Sequence, residues 1–198
     1  MHKVQFSIIA FCFCSVKGCC IPSLIGMVQH QPGYKPNYNN MGLHTILGAN
    51  GTVADALFPV LAAQGHQIRL VSRSAKSIAG AENVAANLLN QEQVFKAVRG
   101  SEIVYLLVGL TYNAKIWQSE WPIVIRNVMD ACKASDAKLV FFDNVYMYGK
   151  VEGIITEETT YQPSSKKGKV RAGVATALQQ EMAAGKLKAI IARAVDFY

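Results

Sequence analysis

The stretch from Thr45 to Ala54 reads TILGANGTVA, and it decides the fold of this chain. A short apolar run leads into a glycine-containing turn, and a helical pattern follows the turn. Gly48 permits a tight turn with unusual backbone angles. Gly51 has no Cβ, so a pyrophosphate can approach the main chain, and the small Ala54 lets the new helix lie close to the sheet. The free N–H groups at the start of that helix would face the phosphates.

The glycine spacing Gly-x-x-Gly-x-x-Ala is weak evidence alone, because an ordinary turn between a strand and a helix can produce it. Its surroundings make it informative. Apolar residues follow at helical spacing, namely Val53, Leu57, Val60 and Leu61. Gly65 then ends the helix, and residues 67–72 have the pattern of the next strand. A strand–helix–strand unit therefore surrounds the glycines, as a dinucleotide site requires.

Strands and helices alternate along the rest of the chain. Strands are predicted at 44–47, 67–72, 83–87, 103–108, 138–142 and 187–193. Helices are predicted after the glycine turn and at 91–98, 119–134 and 170–184, with Ser119 as the N-cap of the helix at 119–134. This alternation predicts an α/β fold, a doubly wound parallel sheet of the Rossmann type with helices on both faces.

The composition limits the class of protein. A chain of 198 residues with 51% hydrophobic and 17% charged residues is expected to fold as one domain around a core. The net charge of +7 is mostly scattered. The one basic cluster, from Lys166 to Arg171, is interpreted as a solvated loop, so no nucleic-acid partner is expected.

The first forty residues differ in character from the rest, and they contain Cys12, Cys14, Cys19 and Cys20. Their apolar run, residues 4–16, is too short to span a bilayer as a helix and has no convincing cleavage site. We therefore expect an extension at 1–40, dispensable for folding, a domain at 41–198, no membrane partner and a cytoplasmic location. The cysteine spacing matches no zinc pattern, so no metal is expected. The fifth cysteine, Cys132, is predicted to lie in the core.

Three blocks carry a resemblance to a known family. They are GANGTVA at 48–54, VAANL at 84–88 and FFDNVYMYG at 141–149. With them, the chain from Met41 onward resembles the extended and atypical short-chain dehydrogenase/reductases, the NAD-dependent epimerase/dehydratase family. The resemblance implies a nicotinamide dinucleotide cofactor and a nucleotide sugar or small carbonyl substrate. In the family a substrate lobe follows the sixth strand, and we expect this chain, which ends at Tyr198, to lack that lobe.

The resemblance also assigns cofactor-binding residues. They are Gly48, Asn50, Gly51, Thr52, Val53, Arg73, Asn87, Leu88 and Val108. Asn87 stands where the family has an aspartate that contacts adenine. No acid follows strand two, where an acidic residue would bond the ribose of NAD. Arg73 occurs there instead, and its planar guanidinium suits the 2′-phosphate of NADP. NADP is therefore expected over NAD, unless Arg73 is simply a solvated loop residue.

The catalytic residues of the family are largely replaced. Its Ser or Thr after strand five corresponds to Asn144, and its Tyr and Lys, four residues apart on the next helix, have no counterpart in KVRAGVA at 169–175. Tyr146 and Lys150 have that spacing but precede the helix, so their spacing is interpreted as coincidence. Tyr161 lies in the loop before the helix. Asn144 and Tyr146 are retained as the candidate catalytic residues.

Two functions stay open at this point. One is an oxidoreductase or isomerase that uses NADP or NAD, and the other is an NADP-binding redox sensor or a fragment without turnover. The missing Tyr and Lys pair predicts little turnover of the usual type, since a positioned acid contributes about 10²–10⁴-fold to rate. A homodimer through the helix at 119–134 is a further expectation, unless its apolar face covers the sheet.

Overall fold

The computed structural model describes residues 42–74 and 77–195. The predicted extension at 1–40, with its four cysteines, lies outside the described residues, as do residues 75–76 and 196–198.

Six parallel strands form one sheet in the order β3-β2-β1-β4-β5-β6. The strands are β1 (Leu43–Leu47), β2 (Gln67–Ser72), β3 (Glu82–Ala85), β4 (Ser101–Leu106), β5 (Lys138–Asp143) and β6 (Ala189–Arg193). The helices are α1 (Thr52–Ala63), α2 (Gln91–Val98), α3 (Ala114–Ala134) and α4 (Lys166–Ala183). The predicted doubly wound parallel sheet is confirmed.

The two faces of the sheet are covered unequally. Helix α1 packs with Ile46, Ile68 and Leu70 on one face, whereas α2, α3 and α4 share the other face with residues such as Leu106 and Phe141. Right-handed crossovers explain this arrangement, because the chain steps in one direction from β1 to β3 and in the opposite direction from β3 to β6. The direction reverses between β1 and β4, which is where doubly wound sheets open a ligand crevice.

The predicted start of α3 is wrong by one turn or more. The helix begins at Ala114, and Asn113 is its N-cap, because Asn113 Oδ1 accepts the Lys115 N–H at 2.8 Å. Ser119 lies inside the helix, where its hydroxyl donates to the Lys115 and Ile116 carbonyls at 3.1 Å. The apolar face of α3 packs in the main core, and Cys132 is fully buried there, as predicted.

Other boundaries also shift. Helix α4 begins at Lys166 rather than at residue 170, and the Ser165 hydroxyl oxygen caps it by accepting the Gly168 N–H at 2.9 Å. Strand β4 begins at Ser101 rather than at 103, and Ser101 Oγ lies 2.7 Å from Thr45 Oγ1 in the core. Strand β3 is Glu82–Ala85 rather than 83–87, and β6 is Ala189–Arg193 rather than 187–193. The starts of α4, β4 and β3 are polar and therefore lack apolar periodicity, whereas β6 begins two residues later than predicted, after Leu187 and Lys188.

Candidate dinucleotide site and crevice

The glycine turn after β1 has a geometry that requires glycine. Gly48 has a φ of +103°, and a Cβ at this residue would lie 2.8 Å from the Cα and the backbone nitrogen of Val108. The N–H groups of Gly48 and Ala49 both donate to the Val71 carbonyl, at 2.9 and 3.1 Å. The turn is thus pinned between the end of β2 and the segment after β4. Gly48 and Val108, both predicted as site residues, are in contact.

Helix α1 differs from the other described helices at its start. Its N-cap is Gly51, and no side-chain hydrogen bond caps it. The side chains of Asn90, Asn113 and Ser165 cap α2, α3 and α4 respectively. A Cβ on Gly51 would meet only the Gly48 carbonyl oxygen, at 3.4 Å, so the space in front of the helix is open. Uncapped N–H groups at a positive helix end, facing open space, suit a phosphate.

The remaining predicted cofactor residues border this turn to different extents. Asn50 and Thr52 are exposed, and Val53 is half-buried in the first turn of α1. Arg73 is exposed directly after β2. The segments that follow β2 and β3 are joined by a hydrogen bond from the backbone N–H of residue 86 to the carbonyl of residue 72, at 2.9 Å. Arg73 and Asn87 therefore extend from neighbouring strand ends on the same edge of the sheet.

Asn87 and Leu88 have clear local roles as well. Asn87 is exposed, and its Oδ1 accepts the Leu89 N–H at 3.0 Å. Leu88 is buried, and its carbonyl accepts a hydrogen bond from the Asn127 side chain at 2.9 Å. The glycine cradle, the open helix start and the exposed Asn87 together fit a dinucleotide.

The other half of the crevice contains a cavity of about 400 Å³. Three chain segments line it: the loop after β4, the loop after β5 and the start of α4. Its lining residues are Tyr112, Ala114, Tyr146, Ser165, Lys166 and Lys167. All three segments lie at the carboxyl edge of the sheet, the edge that also carries the glycine turn, so cavity and cradle open on the same side of the molecule.

Aromatic rings and one cation organise this cavity. Tyr146 stacks on Trp117 with centroids 6.3 Å apart, and Tyr112 meets Trp117 edge-on at 5.8 Å. The Lys167 Nζ lies over the Tyr112 ring, 2.8 Å from its centroid. A side-chain hydrogen bond with Tyr146, together with the adjacent Lys167 ammonium, lowers the pKa of Tyr112 below its usual value. Sequence reasoning missed Tyr112 and Lys167, which are far apart along the chain.

The two predicted catalytic residues have different environments. Tyr146 lines the cavity, as a candidate catalytic residue must. Asn144 is half-buried, and its Oδ1 accepts the Tyr146 backbone N–H at 3.0 Å, so it shapes the turn that presents Tyr146. Lys150 is exposed and is not among the residues that line the cavity. Tyr161 points elsewhere, because its hydroxyl accepts a hydrogen bond from Arg193.

Behind the cavity lies a buried ionic cluster of Asp143, Arg171 and Arg193, which are 1%, 3% and 5% exposed. Asp143 Oδ1 accepts a hydrogen bond from Arg171 Nε at 2.7 Å, and Asp143 Oδ2 lies 3.9 Å from Arg193 Nε. Burial raises the pKa of Asp143, whereas the Arg171 guanidinium opposes that shift. The prediction of a solvated loop at 166–171 is therefore wrong, because these residues lie in α4 and Arg171 is buried.

A sequence signal for that burial exists. Arg171 falls on the helical stripe that continues through Val174, Ala175 and Leu178, all of which are buried. A basic residue on an apolar stripe needs a buried partner, and the aspartate that ends β5 provides it. Arg171 also lies over the Trp121 ring, with 4.3 Å between its guanidinium carbon and the ring centroid.

Two features are absent from the described residues, a metal-binding group and a membrane-spanning helix. No group of three or more His, Cys, Asp or Glu side chains there has a geometry that could hold a metal ion. None of the helices within 42–74 and 77–195 is long and apolar enough to cross a membrane.

The sheet order, the glycine cradle and the crevice define an α/β protein of the Rossmann type with a site shaped for a dinucleotide. The chain belongs to the NAD dependent epimerase/dehydratase family, whose model matches residues 44–198. This match confirms the family inferred from the glycine turn and the segment after β5. A search of curated proteins finds no match.

Solved structures share the fold at low sequence identity. A short-chain dehydrogenase/reductase superfamily protein from Agrobacterium tumefaciens with bound NAD has a TM-score of 0.67 at 21% identity, covering 76% of this chain and 48% of its own. UDP-glucose 4-epimerase from Brucella ovis in complex with NAD has a TM-score of 0.68 at 16% identity, and the match covers 78% of this chain and 52% of the epimerase. Glucuronic acid dehydrogenase from Chromohalobacter salexigens has a TM-score of 0.67 at 19% identity, and the match covers 76% of this chain and 59% of the dehydrogenase. The chain thus spans about half the length of these proteins.

Proposed function

We propose that this protein binds a nicotinamide dinucleotide at the glycine turn and carries out oxidoreductase or isomerase chemistry on a small carbonyl compound or nucleotide sugar. The observation that carries the proposal is the cradle at Gly48, which only glycine can occupy, next to the uncapped start of α1. Gly48 lets the turn pack against the Val108 backbone, and the turn leaves the N–H groups at the start of α1 open to a ligand. When bound, the dinucleotide supplies or accepts a hydride.

NADP is the cofactor we propose, in preference to NAD. Arg73 follows β2 on the edge of the sheet where the adenosine ribose would lie, and no acidic residue accompanies it within 71–74. A guanidinium can bind a phosphate through two parallel hydrogen bonds. The proposal also includes a cytoplasmic location and a homodimer. The dimer surface must then avoid the apolar face of α3, because that face packs in the core.

The test is a titration of NADPH and NADH against the full chain, with Arg73→Ala beside it. Losing a charged hydrogen bond costs about 1.5–3 kcal/mol, so NADPH affinity should fall on the order of tenfold to a hundredfold while NADH affinity stays nearly constant. Arg99→Ala is the matched control, because Arg99 is exposed at the end of α2, on the opposite edge of the sheet. Equal affinities for NADPH and NADH that do not change in Arg73→Ala would refute the NADP assignment.

A second candidate function is cofactor binding without turnover, as in a redox sensor. One observation favours it: α4 contains no tyrosine, and Arg171, on the same helix, is sealed against Asp143. The two functions are separated by NADPH oxidation with a panel of aldehydes, ketones and 4-keto nucleotide sugars. Cofactor binding without any oxidation across the panel would favour the sensor.

A further inference from the structure

The cavity beside the glycine turn holds two phenols and a lysine that the established family pattern does not account for. Tyr112 comes from the loop after β4, Tyr146 from the loop after β5 and Lys167 from the first turn of α4. These three segments are distant in sequence and meet only at the carboxyl edge of the sheet. Their side chains are in mutual contact, so they form one chemical unit and not three separate surface residues.

We infer that Tyr112 is the proton donor to the carbonyl oxygen of a substrate held in this cavity, with Tyr146 and Lys167 as its positioning residues. The inference rests on the proposed dinucleotide-dependent function and assigns residues to its proton transfer. The substrate class is a small aldehyde or ketone, since the cavity of about 400 Å³ is open and its lining offers hydroxyl and ammonium donors to an oxygen.

The geometry of Tyr112 supports this role. The side chain is 68% exposed, so a substrate can reach its hydroxyl. The ring is nevertheless held on two sides, by the edge of Trp117 at 5.8 Å and by the Lys167 Nζ at 2.8 Å from the centroid. The neighbouring ammonium stabilises the tyrosinate that proton donation leaves behind, which favours donation.

The role of Tyr146 follows from its own restraints. Its ring stacks on Trp117, and its backbone N–H donates to Asn144 Oδ1 at 3.0 Å. Tyr146 is therefore fixed by two contacts that do not involve its hydroxyl. A side-chain hydrogen bond between Tyr112 and Tyr146 contributes to the lowered pKa of Tyr112. Tyr146 thus orients the Tyr112 hydroxyl and stabilises its deprotonated form.

The proposed step is the reduction of a carbonyl group to an alcohol. A reduced nicotinamide dinucleotide held at the glycine turn would be the reductant and would supply a hydride to the substrate carbonyl carbon. The π pair of the C=O bond moves to the oxygen, and the oxygen takes the proton from the Tyr112 hydroxyl. The products are an alcohol, the oxidised dinucleotide and a tyrosinate next to the Lys167 ammonium. A proton from water then restores the phenol.

The first test needs no cofactor. Ultraviolet titration of tyrosinate in the full chain should show one phenol that ionises below the usual pKa of about 10. Tyr112→Phe should remove that ionisation, Lys167→Met should move it upward, and Lys167→Arg should largely retain it. Tyr105→Phe is the matched control and should leave it in place, because burial raises the pKa of Tyr105. The inference would be overturned if no phenol ionised below the usual pKa, or if that ionisation persisted in Tyr112→Phe. Either result would count whether or not the chain binds a cofactor.

The second test measures NADPH binding and carbonyl reduction separately. Tyr112→Phe should keep the wild-type Kd for NADPH and lose about 10²–10⁴-fold in kcat. Lys167→Met should shift the pH profile of kcat upward along with the phenol, whereas Lys169→Met, an exposed control on the same turn, should not. Full turnover by Tyr112→Phe, or no carbonyl reduction by a wild type that binds NADPH, overturns the donor role. Failure of NADPH to bind would instead contradict the proposed function, and the phenol titration would still decide the environment of Tyr112.

Discussion

Replacing Arg171 by methionine should destabilise the protein by about 3 kcal/mol, because it leaves the buried carboxylate of Asp143 short of a partner. Two unit charges about 4 Å apart attract by about 4 kcal/mol at an effective dielectric constant of about 20. Arg193 Nε remains 3.9 Å from Asp143 Oδ2 in this variant, so part of the compensation survives. The cost therefore falls at the low end of the range of about 3–5 kcal/mol for breaking a buried pair.

Asp143→Asn should cost more, about 5 kcal/mol. The wild-type cluster has one carboxylate and two guanidiniums, so Arg171→Met reduces its formal charge from +1 to 0, whereas Asp143→Asn raises it to +2. Two like charges then remain buried without a counter-ion. Since domains are stable by only about 5–15 kcal/mol, this variant should be close to unfolding.

Urea denaturation at neutral pH, followed by tryptophan fluorescence, measures both costs. Lys188→Met is the control, because the Lys188–Asp136 pair at 2.7 Å is exposed on both sides and should contribute less than about 1 kcal/mol. The charge argument is refuted if Asp143→Asn proves no more costly than Arg171→Met. A double variant that costs as much as the sum of the two single variants would also contradict direct coupling.

Three other outcomes are expected. Gly48→Ala should abolish NADPH binding and lower the melting temperature, because its Cβ would lie 2.8 Å from the Val108 backbone; Gly80→Ala, also at positive φ but with nothing within 4 Å, should keep binding. Burial lowers the pKa of His44, so stability should fall as pH drops below about 6.5, where the unfolded chain binds the extra proton, and His44→Gln should weaken that dependence in thermal melts. Burial raises the pKa of Cys132 to about 12, so iodoacetamide should label the Cys132 peptide only after unfolding, as mass spectrometry can show.

The fold could be predicted from the sequence wherever the determinants are local. Strand β2 and helix α2 match their predicted bounds. A short run with apolar residues marks β2, and helix α2 begins directly after its N-cap, Asn90. The starts of α3 and α4 differ from the predicted ones. The first turn of α4 is polar and lacks apolar periodicity, whereas the first turn of α3 contains the apolar Ile116 and Trp117. In both helices the N-cap, Asn113 or Ser165, is a residue type typical of that position.

The candidate site, like the fold, could be predicted from the sequence only where its determinants are local. The glycine turn is legible in sequence, since a positive φ and a missing Cβ are properties of single residues such as Gly48. The pairing of Tyr112 with Lys167 depends on the loop after β4 meeting the start of α4, and no short window of sequence contains both. Asn144 was chosen by its place after β5. Its side chain supports the turn that presents Tyr146, a role that depends on the local hydrogen bond and not on residue type alone.

Lys167 and Arg171 lie one helical turn apart on α4 and have opposite environments. Lys167 is half-buried at the rim of the cavity, over the ring of Tyr112, whereas Arg171 is enclosed with Asp143 behind it. Both side chains carry a positive charge. Lys167 lines the cavity and can act on a substrate, whereas Arg171 is buried and does not line the cavity. Substitutions at Lys167 should therefore change the chemistry of the cavity at nearly constant stability, and substitutions at Arg171 should change stability first. Any loss of activity in an Arg171 variant must consequently be compared at equal folded fraction before it is assigned to the site.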